Sequence, residues 1–109
     1  RMTIFMVETY VVKPEKQAEF MAFAKKFVEW KEKNAEKFKE AKSWRLFAQM
    51  LGGNFGGYVE VWEFENMAEC EKWTNRIMQD KDFMTTLYHE FTRLIVPATH
   101  SVNIWNAVM

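Results

Sequence analysis

The pattern of apolar and polar positions changes period along the chain, and each change marks an element. Thr3 to Val12 is rich in β-branched and aromatic residues and nearly free of charge, which predicts a strand. Pro14 suits the first turn of a helix, and Glu15 sits favourably near the positive end of its dipole. Phe20, Ala24, Phe27, Lys31, Asn34 and Phe38 then follow a helical period, with Phe23 and Trp30 widening the stripe. That stripe predicts a helix of about 25 residues. Trp44 to Leu51 and Tyr58 to Phe64 read as strands joined by the glycine-rich loop Gly52-Gly53-Asn54-Phe55-Gly56-Gly57. Asn66, with Glu69 three residues on, offers an N-cap and a capping-box partner. The helix that follows carries Met67, Cys70, Trp73 and Ile77 on one stripe and breaks or kinks at Asp80-Lys81-Asp82. A further stripe, Met84, Leu87/Tyr88, Phe91 and Leu94/Ile95, runs to Pro97, and Thr99 to Val108 closes the chain as a fourth strand. The order β-α-β-β-α-β predicts an α+β, ferredoxin-like plan with a four-stranded antiparallel sheet.

Alternation along the strands separates two faces. Ile4 and Met6, Leu46 and Ala48, Val59 and Val61, and Val102 and Ile104 form a small aliphatic set suited to lie under helices. The opposite set holds Phe5, Phe47, Trp62, Phe64 and Trp105, mixed with Arg45, Gln49, Glu60 and Asn103. Left in water, this second face would be an apolar patch larger than monomers tolerate. It predicts a homodimer packed sheet against sheet, with these nine residues at the interface and Glu60 in an inter-subunit ion pair or polar network with Arg45 and Gln49.

Composition adds exclusions. Ten Phe and five Trp are many for 109 residues, and 15 basic residues balance 15 acidic ones, so bulk charge points to neither nucleic acid nor an anionic membrane. The balance hides a basic stretch, Lys13 to Lys42, with nine Lys against six Glu, and an acidic one, Glu60 to Glu71, with five Glu and no base. The single Cys70 excludes an intrachain disulfide and any multi-cysteine metal site, and on its apolar stripe it reads as a small buried hydrophobe. No helical His-x-x-x-His or Glu-x-x-His pair is present, so no metal site is expected. The glycine loop joins two strands instead of feeding a helix, so it is not a phosphate cradle. With no membrane-length apolar run and no secretory leader, the expectation is one cytoplasmic domain over residues 1–109, with Met2 the natural start and Arg1 an addition.

Two stretches, Glu8-Thr9-Tyr10-Val11-Val12-Lys13-Pro14 and Gly57-Tyr58-Val59-Glu60-Val61-Trp62-Glu63-Phe64-Glu65-Asn66 followed by a helix containing Trp73, carry a resemblance over the whole chain. The pattern resembles the dimeric α/β-barrel superfamily, and within it the antibiotic-biosynthesis-monooxygenase (ABM) and NIPSNAP-like branches. Enzymes of this kind use an Asn near the end of the first strand, a Trp early in the second helix and a His later in that helix. The resemblance carries these roles to Thr9, to Trp73, and to Leu87 by direct counting, with His89 two residues further on. It implies catalytic roles for Thr9, Trp73 and His89 and a pocket that also includes Phe83, Leu87 and Tyr88. The function so implied is a homodimeric small-molecule-binding protein, or a monooxygenase that needs no cofactor, acting on an apolar or aromatic compound. The alternatives are a non-catalytic dimeric scaffold or stress-related module, and a haem-binding or haem-degrading protein using His89. His100 reads as a surface or strand-end residue.

Overall fold

The charge-poor start of the chain forms β1 (Ile4–Val11), and a 3-10 turn at Pro14–Lys16 leads into helix α1 (Gln17–Lys33), in a computed structural model that describes residues 3–109. The expectation for Arg1 and Met2 lies outside the described residues. Pro14 occupies the first turn, where its missing N–H costs nothing. α1 is shorter than its stripe predicts. Asn34 stops it by donating Nδ2 to the Trp30 carbonyl at 2.8 Å, while its own N–H meets the same oxygen at 3.0 Å. A second 3-10 turn, Ala35–Phe38, delivers Phe38 to the core, so the apolar period continues across a real break.

β2 (Ala41–Ala48) begins earlier than expected and ends before Gln49, and β3 (Gly57–Phe64) returns antiparallel to it. Gly56 in the intervening loop has φ 81°, and a Cβ there would lie 3.0 Å from the Val12 carbonyl, so glycine is required for the close approach. α2 (Met67–Met78) starts at the predicted cap, Asn66 Oδ1 accepting the Glu69 N–H at 3.0 Å. The Glu69 carboxylate does not complete the box; it meets Lys72 at 2.9 Å instead. The break at Asp80–Asp82 is real: Asp80 Oδ1 accepts the Phe83 N–H, and the chain winds as a π-helix over Phe83–Tyr88 before α3 (His89–Leu94). β4 (Ser101–Asn106) lies at one edge of a four-stranded antiparallel sheet of order β2-β3-β1-β4, the ferredoxin-like arrangement.

The register overturns the expected faces of β3. Residues directly opposite on antiparallel strands share a face. Phe64 pairs with Ile4, Trp62 with Met6, and Glu60 with Glu8, so all three point toward the helices with the first strand's apolar set. Trp62 is 3% exposed and Phe64 0%, which removes both from the open face and from the expected interface. Glu60 likewise cannot meet Arg45, whose guanidinium lies on the other face, 5.3 Å from the Phe47 ring. The aromatic layer is therefore the core itself: Trp62 stacks on Phe38 at 6.0 Å and packs at a tilt on Trp73 at 4.5 Å, and Phe64 packs on Trp73 at 5.5 Å. The open face keeps Phe5, Phe47, Asn103 and Trp105 around the valines of β1 and β3, while Gln49 lies exposed beyond the end of β2.

An ion pair with a buried carboxylate ties the turn before β2 to α2. Arg76 grips the Glu40 carboxylate with both guanidinium nitrogens, at 2.6 and 2.5 Å, while the Glu40 side chain is 3% exposed. That grip holds Glu40 well below the usual carboxylate range.

Candidate functional site

Between the helices and the sheet lies a cavity of about 410 Å³. That falls within the range of ~300–1,000 Å³ typical of small-molecule sites. α1 supplies Phe23 and Phe27, α2 supplies Trp73, Thr74, Ile77 and Met78, and the π segment supplies Phe83, Leu87 and Tyr88. A π-helix places residues four and five apart nearly above one another, because its turn holds more than four residues. The winding thus turns Phe83, Leu87 and Tyr88 to the same wall, where α-helical spacing would spread them. Across from them, Met6, Glu8, Glu60 and Trp62 form the floor, with His100 and Val102 on the side of the outer strand.

The floor is polar in the middle of an apolar lining. Glu60 accepts from Tyr10 Oη at 2.5 Å and from Trp44 Nε1 at 2.8 Å. Glu8 accepts from Trp62 Nε1 at 2.9 Å and meets His100 Nε2 at 2.8 Å. Every carboxylate oxygen of the pair therefore has a donor. Burial, and next the charge of Glu8, push the Glu60 carboxyl up to about 7, against the opposing pull of Tyr10 and Trp44. Burial first, then Glu60, hold the Tyr10 phenol far above its ordinary value. The hydrogen bond to Glu8 raises the His100 imidazole. The cluster can hold a proton, or give one up, near neutral pH.

Trp73 lies on the wall 6% exposed, and its Nε1 is a buried side-chain polar atom with no acceptor. Cys70 beside it is buried, and burial pushes its thiol up, away from reactivity. Among the described residues no group of three or more His, Cys, Asp and Glu could hold a metal ion.

No family model matches this chain, and no curated protein does. Solved structures do match. A NIPSNAP family protein of unknown function from Agrobacterium tumefaciens superposes with a TM-score of 0.73 at 14% identity, covering 96% of this chain and 87% of its own. A structure described as an antibiotic biosynthesis monooxygenase gives a TM-score of 0.67 at 17% identity, covering 97% and 99%. A conserved protein from Methanosarcina mazei gives 0.69 at 17% identity, covering 95% and 91%. The chain has an ABM/NIPSNAP-like fold. At these identities the likeness concerns architecture.

Within the ABM/NIPSNAP-like fold, four of the six expected site residues converge on the cavity. Trp73, Phe83, Leu87 and Tyr88 all line the cavity. Thr9 does not: it neighbours Glu8 on a strand, so the two side chains point to opposite faces, and Glu8 is the one turned inward. His89 is exposed, because Leu87 takes the inward position and two residues of helix turn the ring away. The histidine of the cavity is His100, on the side of the sheet. Haem does not fit these residues. Its expected ligand faces solvent, His100 Nε2 is held by Glu8, and no Lys or Arg lines the cavity among the described residues to meet propionates. Sequence reasoning read His100 as a surface or strand-end residue and Glu8 only as a strand carboxylate, and placed neither in the pocket; both line the cavity. The signal for Glu8 was present, as a charge spaced two and four residues from Met6 and Ile4 on an apolar face.

Proposed function

We propose that the protein binds a small, largely apolar molecule in the cavity between helices and sheet, and that it works as a homodimer joined through the open sheet face. The cavity carries this reading: apolar walls around one compact polar cluster are the usual form of a site that holds a small molecule and orients it. The ABM-like fold supports a site in this place without identifying its chemistry. A monooxygenase reading has weaker support, because only Trp73 of the three residues tied to that activity lines the cavity, while Thr9 and His89 face elsewhere.

Titration with naphthalene tests the binding. Saturable quenching of tryptophan fluorescence is expected, since Trp62 and Trp73 both line the cavity, and Thr74→Phe, which fills the wall, should weaken it about tenfold or more. Quenching that never saturates, or that is the same in Thr74→Phe, would leave the non-catalytic scaffold as the better reading.

A further inference from the structure

The cavity floor has more negative capacity than positive partner. Glu8 and Glu60 are register neighbours on β1 and β3, and both line the cavity. One imidazole, His100, faces Glu8; the remaining donors, Tyr10, Trp44 and Trp62, are neutral. From the helices, Tyr88 is the titratable residue on the lining, and no Lys or Arg lines the cavity among the described residues. A second buried carboxylate with no cation of its own is costly in such surroundings. The molecule meets that cost by keeping Glu60 protonated up to about neutral pH.

The walls complete the description of what is missing. Phe27, Trp62, Trp73, Tyr88 and Phe91 line the same cavity, and the faces of such rings carry negative potential that attracts organic cations. Trp73 adds an independent open group, a buried indole N–H with no acceptor.

We propose that the cavity is a receptor for an organic ammonium ion, its nitrogen set at the Glu8–Glu60 pair and its apolar body laid against the rings. This deepens the small-molecule reading and rests on it. The ligand supplies the cation that Glu60 lacks, and an acceptor oxygen on its body would satisfy Trp73. Binding favours the ionised form of Glu60, so a proton leaves the site as the cation enters. Affinity then rises with pH through neutrality. His100 acts in the same direction, because losing its positive charge as pH rises also favours a cation beside Glu8.

Phenyltrimethylammonium and tert-butylbenzene test this, since they share a shape and differ in charge, and neither titrates. Calorimetric and fluorescence titrations of the wild-type protein should give the cation about tenfold tighter binding at about pH 8, with the preference shrinking several-fold at about pH 6. At about pH 7 the binding heat should vary with buffer in the sense of proton release. Glu60→Gln should cut the preference several-fold and leave only the part of the pH dependence that His100 supplies. Equal affinity for the two probes would overturn the ammonium reading and leave the cavity reading standing. Binding of neither would overturn both. If Glu60→Gln folds poorly, because its amide cannot accept from both Tyr10 and Trp44, the wild-type comparison of the two probes and its pH dependence still decide the matter.

Discussion

Glu60 shows how one register pairing sets the chemistry of a side chain. Opposite Glu8 and under the helices, it keeps its proton up to about 7 where an ordinary Glu would release it near 4.5. A group whose folded value is raised supports the fold fully below its ordinary value and loses that support as pH rises through the folded value. His100, raised by Glu8 above an ordinary 6.5, works in the same sense at higher pH. Glu40, lowered by Arg76, works in the opposite sense: its support is present above its ordinary 4.5 and disappears on acidification. The Glu40 contribution remains when Glu60 is replaced, and so does the main cause of the His100 shift, its hydrogen bond to Glu8, so comparison with Glu60→Gln reports chiefly on Glu60. Between about pH 5 and about pH 8 the Tm of the wild type should fall relative to that of Glu60→Gln. Thermal unfolding followed by circular dichroism checks this, and a Tm difference constant across that range would contradict it. At this scale the sequence was least legible. Glu60, Thr9 and His89 were identifiable as residues, but which way each points depends on strand register and on helix phase after a break.

The elements were far more legible, because their signals are local. Pro14, the Asn66 cap, the glycine loop and the break at Asp80 all mark real boundaries. Asn66→Ala should cost about 1 kcal/mol in denaturant unfolding, the usual value for losing an N-cap acceptor. A change within a few tenths of a kcal/mol would mean that tertiary packing alone fixes the start of α2. Two departures share one physical cause. α1 ends at Lys33 and Phe83–Tyr88 winds as a π-helix, although the apolar spacing runs smoothly through both regions. A turn or a wider helical winding can still deliver an apolar side chain to the same core, so periodicity does not register the change of geometry. In the second case the change matters to the site, since it brings Phe83, Leu87 and Tyr88 to one wall of the cavity.

For the whole molecule, the open sheet face is the feature that asks for a partner. Phe47 is 44% exposed and Trp105 61%, on either side of the valines of the central strands. Outside that face, the edge strand β4 also leaves Val102 and Ile104 in solvent. Contiguous apolar surface of this kind is usually covered by another protein surface, and a two-fold pairing is the commonest way to cover it. Light scattering during size exclusion should therefore give twice the 13.1 kDa chain mass. Phe47→Glu should shift the protein toward the monomer, and a monomeric wild type at micromolar concentration would rule out this use of the face.

The sequence by itself determined the number, order and type of the elements, and with them the ferredoxin-like plan, because strand alternation, helical period and turn chemistry are written in neighbouring residues. It also determined that large rings exceed what a small aliphatic core would hold. Where those rings go was decided by tertiary structure. Alternation divides each strand into two sets but does not say which set of one strand joins which set of the next. Pairing Glu60 with Glu8 and Trp62 with Met6 made that choice. It turned the rings of β3 inward to build an aromatic core around a cavity, and placed two carboxylates together on its floor.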